Sequence, residues 1–212
     1  MKEVIVMGKG KLAIEVSECL QRSNGYRVST IVPVIPEPTW TDSFANWGRV
    51  NSVPVVESGA YKDIPALLVG EGKLPLVISV FYDKIIKGWF IDRCERIINL
   101  HNGPLPRYRG VSPINWALKN EEIEHGITIH EITEGIDDGP IIAQLKYSIY
   151  PQFDEVIDVY KRSLEYGKIL FEQTLPNLDR IQAREQAHNQ ALYFSKKDNV
   201  RLGDRENFTR TK

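Results

Sequence analysis

The amino-terminal part of the chain alternates between short apolar runs and helical spacing, and this alternation restricts the fold more than any other sequence feature. Residues 4–7 form an apolar, mostly β-branched run that ends in a Gly-Lys-Gly turn at residues 8–10. Leu12, Val16 and Leu20 then recur at the spacing of one helix face. The pattern predicts a strand, a tight turn and a helix.

The same alternation continues to about residue 101. Further strands are predicted for Tyr26 to Val32, Val53 to Val56, Leu74 to Val80 and Ile97 to His101. Helical segments are predicted over residues 61–69 and at the end of residues 33–47, whose first part is too rich in proline for a regular element. Strands that alternate with helices are joined by right-handed crossovers and lie parallel. We therefore expect an α/β fold with a doubly wound, mostly parallel sheet, helices on both faces and ligands beyond the carboxyl ends of the strands.

The second half of the chain predicts a short helix, two strands and a long helix. Ser112 precedes Pro113, which predicts an N-cap and a helix that runs to Lys119. The two strands are predicted over residues 125–132 and 141–149, and the long helix over residues 153–175. We expect one catalytic domain over residues 1–180. Residues 181–212 form a polar arm that we expect to be extended or partly disordered, since it carries many charges and no clear period.

Composition and charge limit the classes of partner. Lys and Arg number 27 against 28 Asp and Glu, so we expect a small-molecule substrate and no nucleic-acid or membrane partner. The sequence shows no secretory segment and no membrane-spanning run. We therefore expect a soluble cytoplasmic protein, which could assemble as a homodimer. Cys19 and Cys94 form no Cys-x-x-Cys pair and no histidine spacing typical of a metal site occurs, so we expect reduced thiols and no metal.

Two polar motifs predict a catalytic cleft. Asn99 and His101 stand two positions apart at the end of a predicted strand, so their side chains should leave the same face. Asp137 lies in a turn bounded by Gly135 and Gly139, from which it could reach that cleft, orient the imidazole and raise its basicity. Taken alone, Asn99 and His101 could equally be ordinary strand-end residues. The three side chains together supply an amide, an imidazole and a carboxylate.

These motifs resemble those of the enzymes that transfer a formyl group from 10-formyltetrahydrofolate to an amine. That family carries an Asn-x-His-x-x-x-x-Pro segment and a later Asp-x-Gly turn. The matching residues here are Asn99, His101 and Asp137, with Pro106 and Gly139 completing the two patterns. The resemblance runs from the first strand to about residue 144. It implies a Rossmann-like formyltransferase fold and an N-formyltransferase that uses 10-formyltetrahydrofolate as formyl donor.

The resemblance also implies a role for each catalytic residue. Asn99 and a protonated His101 would donate hydrogen bonds to the carbonyl oxygen as negative charge develops there. Asp137 would keep His101 charged and help to relay the proton that the amine loses. His130 matches a histidine of several members, and both a supporting role and an ordinary sheet position remain open for it. The adjacent Asp138 is interpreted as a turn residue.

In this family the pterin ring of the folate lies in an apolar slot read by backbone groups. The residues of this chain that would form the slot are Phe81, Tyr82, Asp83, Lys84 and Ile85 on one wall and Ile132, Thr133, Glu134 and Gly135 on the other. A strand-to-helix connection that only packs is the other interpretation of the first segment.

Three acceptor classes are known in the family. Methionyl-tRNA formyltransferases add a tRNA-binding domain for which this chain lacks the length, and the phosphate loop of glycinamide ribonucleotide formyltransferases has more small polar residues than residues 8–12. Residues 81–86 and 193–199 are similar to those of enzymes that formylate nucleotide-linked amino-deoxy sugars, which is the acceptor we expect. The residues expected to contact it are Lys9, Arg107, Tyr108 and Arg109. The alternative is a glycinamide ribonucleotide enzyme or another small-amine formyltransferase. For the two arginines, solvated loop charges are the other interpretation.

Two rival functions of other classes stay open. Residues 8–13 fit the Gly-x-Gly-x-x-Ala dinucleotide pattern in its strand–turn–helix context. The second strand, however, runs into Pro33 with no acidic residue to bind a ribose hydroxyl, which argues against a nicotinamide-dependent enzyme. The other rival is a non-catalytic relative that binds folate. The intact Asn99, His101 and Asp137 argue against it.

Overall fold

A parallel sheet forms the centre of the first of two units in the structure, a computed structural model that describes residues 1–65 and 72–203. The units are Met1–Leu100 and His101–Lys212. In the first, β1 (Lys2–Gly8) pairs in parallel with β2 (Tyr26–Pro33) and with β3 (Val77–Val80), and β3 pairs in parallel with β4 (Ile97–His101). Residues 4–7 of β1 are all buried, as expected of parallel strands covered on both faces. The predicted α/β fold with mostly parallel strands is confirmed.

Within residues 1–65 and 72–100, the first unit contains the helices α1 (Gly10–Arg22), α2 (Phe44–Val50) and α3 (Gly88–Ile91), with a 3-10 turn at Tyr61–Asp63. The turn between β1 and α1 needs both of its glycines. A Cβ at Gly8 would overlap the carbonyl oxygen of Val80, and Gly10 has a φ of +69° beside the side chain of Thr41. Close backbone packing therefore accounts for the glycine pattern at this turn.

Two predicted strands of the first unit differ from the structure, and proline explains both differences. Residues 53–56 form no strand, and Val55 makes only an isolated bridge with Ile31. Pro54 beside it has no N–H to extend a ladder. The strand predicted over residues 74–80 begins only at Val77, since Pro75 interrupts it. Residues 66–69 of the helix predicted over 61–69 lie outside the described residues.

The second unit contains an antiparallel hairpin and two further helices. Its elements are β5 (Arg109–Gly110), α4 (Pro113–Lys119), β6 (Glu124–Glu131), β7 (Ile141–Ser148), α5 (Val156–Thr174) and β8 (Tyr193–Phe194). Strands β6 and β7 pair antiparallel, whereas β5 and β8 pair in parallel. The predicted bounds of these helices and of the hairpin strands agree with the structure to within three residues. None of the helices in residues 1–65 and 72–203 is long and apolar enough to cross a membrane.

Residues 181–203 of the predicted arm are ordered against this unit. Phe194 stacks on Trp116 of α4 with ring centroids 4.1 Å apart and an interplanar angle of 10°. Leu202, in a 3-10 segment at Lys196–Leu202, is buried in the same core cluster. Ser112 also differs from its predicted role. It has a left-handed φ of 55° and caps nothing with its side chain, and its hydroxyl accepts a hydrogen bond from Asn199 of the arm at 3.0 Å.

Candidate active site

His101 ends strand β4 in a buried position, with 6% of its surface exposed. The backbone carbonyl of Tyr108 lies 2.8 Å from Nε2, so this nitrogen carries a hydrogen and donates it. The other ring nitrogen, Nδ1, lies 3.4 Å from Oδ2 of Asp137. Asn99, two residues earlier, shares a strand face with His101. It is the half-buried residue in a strand whose other members are buried.

The loop after β4 keeps the His101 ring in place. A Cβ at Gly103 would lie 2.7 Å from His101 Nε2, so only glycine fits there. Tyr108 has a left-handed φ of 61°, a conformation that a tyrosine adopts only when its surroundings enforce it. Its hydroxyl donates to Glu122 at 2.6 Å and its ring stacks on Phe194. These contacts fix the carbonyl that accepts the His101 hydrogen.

Asp137 lies in the turn between β6 and β7 and has a left-handed φ of 51°. Its Oδ2 accepts a hydrogen bond from the Gly110 N–H at 2.9 Å, and its Oδ1 lies 3.5 Å from Nε2 of His130. Asp138 points elsewhere and accepts a hydrogen bond from Thr133. The structure therefore brings Asp137, and not Asp138, beside His101, and it adds His130 to the group.

Burial decides the charges of this group. Burial lowers the pKa of His101 below 6.5, and the nearby Asp137 carboxylate opposes that effect without cancelling it. Burial acts to raise the pKa of Asp137, but His101, His130 and the Gly110 N–H bring it below its ordinary value. The direction of this shift argues against the expectation that Asp137 keeps His101 charged at neutral pH. The resting pair is a neutral imidazole beside a carboxylate.

The hydrogen bonds of the two histidines determine where an additional proton can bind. His130 Nδ1 lies 2.8 Å from the carbonyl of Glu131, so it too commits a hydrogen to a backbone acceptor. In the neutral His101 ring the nitrogen that faces Asp137 therefore carries a lone pair. A proton that reaches this group would lie between Asp137 and one of the two imidazoles, where the carboxylate stabilises it.

The residues expected to bind folate divide between the two units. In the first unit, Tyr82 Oη and Lys84 Nζ both donate to the carbonyl of Gly59 at 2.7 Å, while Ile85 is exposed. Burial raises the pKa of Tyr82 to about 12. Phe81 has a left-handed φ of 55°. These side-chain contacts attach the segment to the loop that carries Gly59.

In the second unit, Ile132 and Thr133 are half-buried, whereas Glu134 and Gly135 are exposed. A Cβ at Gly135 would overlap the Asp138 carboxylate. This segment therefore forms the first part of the tight turn that contains Asp137.

The residues expected to bind the acceptor have different surroundings. Lys9 lies 3.7 Å from the Asp83 carboxylate. Arg107 pairs with Glu122 and keeps half of its side chain exposed. Tyr108 is buried, with 1% of its surface exposed. Arg109 is also buried, and its guanidinium donates to the side chain of Gln186. Of these four, Lys9 and Arg107 keep charge accessible to solvent.

Sequence reasoning missed two contributors to the site, the Gly110 N–H and Gln186. The Gln186 amide donates to the backbone carbonyls of Asp137 and Gly139 at 3.0 and 2.7 Å. Nothing in the arm's polar, aperiodic sequence distinguishes this glutamine from its exposed neighbours. Among residues 1–65 and 72–203, no group of three or more His, Cys, Asp or Glu side chains could hold a metal ion.

Comparison with known proteins assigns the family. A family model described as formyl transferase matches residues 66–175. The chain belongs to the formyl transferase family. A methionyl-tRNA formyltransferase of Pseudothermotoga lettingae is 36% identical over 148 residues, which are 69% of this chain and 47% of that protein. The chain thus spans about half the length of this curated relative.

Solved structures of formyltransferases share the fold. A sugar 3-N-formyltransferase, WlaRD, solved in the presence of dTDP and 5-N-formyltetrahydrofolate, has a TM-score of 0.80 and 25% identity. That match covers 93% of this chain and 71% of WlaRD. A phosphoribosylglycinamide formyltransferase of Bacillus halodurans has a TM-score of 0.71 and 23% identity over 84% of this chain and 96% of that chain. Both support the fold, and they differ in the acceptor named.

Proposed function

We propose that this member of the formyl transferase family is an N-formyltransferase that moves the formyl group of 10-formyltetrahydrofolate to the free amine of a nucleotide-linked amino-deoxy sugar. The observation that carries the catalytic part is the His101–Asp137 contact at 3.4 Å, with Asn99 on the same strand face as His101. This is the arrangement that a reaction with a developing oxyanion and a departing amine proton needs.

In this reaction the bond between the formyl carbon and the folate nitrogen breaks, a bond to the acceptor nitrogen forms, and the proton lost by the amine passes to the folate nitrogen. The Asn99 amide is proposed to donate a hydrogen bond to the carbonyl oxygen, and loss of one such donor costs about 10²- to 10³-fold in rate. His101 starts neutral and is proposed to take up the amine proton at Nδ1, beside Asp137. Asp137 stays ionised and stabilises the imidazolium while it exists.

Folate would be held by residues 81–85 and 132–135. In the first segment, the side chains of Tyr82 and Lys84 donate hydrogen bonds to the backbone carbonyl of Gly59. Among residues 1–65 and 72–203, the backbone groups of residues 82–84 make no hydrogen bond to the backbone of another residue. Backbone donors and acceptors that make no hydrogen bond to other backbone groups suit the amide-like edge of a pterin, and the apolar side chains of Phe81 and Ile85 suit the faces of its ring. The residues present therefore fit the donor.

The likeness to WlaRD supports a nucleotide-linked sugar as acceptor. Arg107 supports it too, because its half-exposed guanidinium lies over the Tyr108 ring at 5.5 Å and can bind a phosphate. Lys9 is proposed to contribute a second cation. Buried Arg109 is proposed to act on Gln186 rather than on the acceptor. The near-zero net charge of −1 is compatible with a small anionic acceptor. We also propose a cytoplasmic location, supported by two buried cysteines, Cys19 and Cys94, that are not joined by a disulfide.

A second acceptor has its own support. The relative with 36% identity is a methionyl-tRNA formyltransferase, so charged initiator tRNA is the competing candidate. Phosphoribosylglycinamide is the third, through the fold alone.

Steady-state assays with one preparation of the protein decide among these acceptors. The panel is a dTDP-linked 3-amino sugar, a dTDP-linked 4-amino sugar, phosphoribosylglycinamide and methionyl-tRNA, each with 10-formyltetrahydrofolate and with the formylated product measured by mass. We expect the highest kcat/KM with a sugar. A higher value for methionyl-tRNA or phosphoribosylglycinamide would reject the sugar and leave formyl transfer intact. Folate binding without any product would instead identify a non-catalytic relative.

A further inference from the structure

We propose that Gln186, in the carboxyl-terminal arm, is a positioning residue that sets the geometry of the Asp137–His101 pair. The proposal rests on the proposed function, and it assigns a part of the active site to a segment far from the catalytic motifs in sequence. Gln186 touches neither the acceptor nor the folate in this proposal. It acts through the Asp137 turn and through β5.

The Gln186 side chain uses all of its hydrogen-bonding groups in a buried place, with 4% of its surface exposed. Nε2 donates to the carbonyl of Asp137 at 3.0 Å and to the carbonyl of Gly139 at 2.7 Å. Oε1 accepts from Nε and Nη2 of Arg109 at 3.1 and 2.7 Å. An amide with two donors and two accepted bonds is saturated, which is the requirement for a buried polar group.

These four bonds connect the two backbone segments that determine where the Asp137 carboxylate lies. One is the turn of Asp137 itself. The other is β5, in which Arg109 precedes Gly110, whose N–H donates to Asp137 Oδ2 at 2.9 Å. The same side chain therefore fixes both the residue that carries the carboxylate and the strand that binds it.

The Asp137 turn needs such support because its backbone is strained. A φ of 51° lies in the left-handed region, which an aspartate keeps only where the surroundings enforce it. The two Gln186 donors act on the carbonyls of this turn. Without them, we expect the turn to relax and Asp137 to move away from His101.

The arm holds Gln186 firmly enough for this task. Arg184, two residues before it, exchanges two backbone hydrogen bonds with Ile141 at 2.7 and 2.8 Å. Leu192, six residues after it, accepts a hydrogen bond from the Arg109 N–H at 2.8 Å. Gln186 is thus placed between two attachments of the arm, next to the hairpin on one side and next to β5 on the other.

A cycle of four proteins separates positioning from mere stability: the parent, Gln186→Leu, Arg109→Met and the double variant. Gln186→Leu leaves the buried Arg109 guanidinium without its acceptor and should destabilise the fold. Replacing both partners removes that penalty, so the double variant should unfold at a higher temperature than Gln186→Leu. Both proteins that carry Gln186→Leu still lack the two hydrogen bonds that the Gln186 amide donates to the Asp137 turn. Gln182→Leu, at an exposed position four residues earlier in the arm, is the matched control.

We expect kcat of the double variant to stay about 10- to 100-fold below that of Arg109→Met, with the KM for the formyl donor within about three-fold. The pKa of His101, followed by NMR, should be lower in the double variant than in Arg109→Met. The double variant and Arg109→Met carry the same charge. A difference in the His101 pKa between them therefore reports a change in the distance from Asp137 to His101. Gln182→Leu should match the parent in all three measurements.

Two results would overturn the proposal: a kcat of the double variant within two-fold of Arg109→Met, or a His101 pKa that is the same in both. If no variant and no parent protein transfers formyl groups, the proposed function fails, and the His101 titration still decides whether Gln186 positions the pair.

Discussion

At the residue scale, the sequence predicted that His101 and Asp137 lie close together, and it did not predict the direction in which the pKa of His101 is shifted. Asn99, His101 and Asp137 stand in two motifs, and the choice of Asp137 over Asp138 agrees with the contact to His101. The protonation of His101 depends on burial and on the Tyr108 carbonyl. Both arise from the folded loop after β4, which no local pattern describes. Gln186 was invisible for the same reason.

The first prediction concerns the proposed proton relay. His101→Ala and Asp137→Asn should each lower kcat by about 10²-fold or more, with folate affinity within a few-fold, because both act on the proton and on developing charge. The kcat of the double variant should lie no more than about ten-fold below the kcat of the less active single variant, since the pair acts as a unit. Pre-steady-state kinetics and folate titration provide the two measurements.

Glu165→Gln is a suitable control, because Glu165 is an exposed carboxylate on α5. It should leave kcat unchanged. Near-parental turnover of folded His101→Ala or Asp137→Asn would move the catalytic assignment to other residues.

The second prediction concerns the titration of His101. Burial lowers its pKa below 6.5 and Asp137 opposes this effect, so His101 should be neutral at pH 7 and gain its proton only in acid. Asp137→Asn should lower the pKa further, because the opposing carboxylate is gone. NMR titration of the ring measures both values. A His101 that is still charged at pH 7.5 would restore the expectation drawn from the sequence.

At the element scale, the spacing of apolar residues predicted the bounds of most strands and helices. The differences between prediction and structure occur at prolines and in polar segments. Strand β4 and helix α4 have the expected bounds, since their apolar spacing is regular. Pro54 and Pro75 lack the N–H that a ladder needs, so residues 53–56 form no strand and the strand predicted over residues 74–80 begins only at Val77. The arm has no period of its own. Its order comes from pairing of β8 with β5 and from the Phe194–Trp116 stack, which are contacts with residues about 80 positions away in sequence.

The third prediction tests whether the arm is part of this core. Phe194→Ala should lower the free energy of unfolding by about 2 kcal/mol or more, because the ring stacks on both Trp116 and Tyr108. Tyr193→Ala, next to it and 51% exposed, should cost less than about 1 kcal/mol. Urea denaturation measures both. Equal, small effects at the two positions would show that the arm adds no stability.

At the scale of the whole molecule, buried neutral histidines should make stability depend on pH. Burial lowers the pKa of His125 to about 3, and it lowers that of His101 as well. Below pH 6.5 the unfolded chain binds protons that the folded chain does not. Stability is therefore lost as pH falls, by up to about 1.4 kcal/mol per pH unit for each histidine. The lowered pKa of Asp137 adds to the loss only in stronger acid.

The fourth prediction follows from these signs. The free energy of unfolding should be lower at pH 5 than at pH 7 by at least about 2 kcal/mol. His125→Gln should make the dependence shallower by about one proton, whereas Gln182→Leu, at an exposed position without a titratable group, should not change it. Urea denaturation at several pH values gives the slope. A stability that is flat from pH 7 to pH 5 would contradict the buried neutral state.

The central claim is that the Asp137–His101 pair serves transfer of a formyl group to an amine, and one measurement tests it most directly. Tetrahydrofolate release from 10-formyltetrahydrofolate is followed with and without a dTDP-linked amino sugar, for the parent protein and for Asp137→Asn. The account predicts release that requires the acceptor, matches the formylated product mole for mole, and falls by about 10²-fold in the variant. Release at full rate without any acceptor, or at an equal rate in Asp137→Asn, would contradict it.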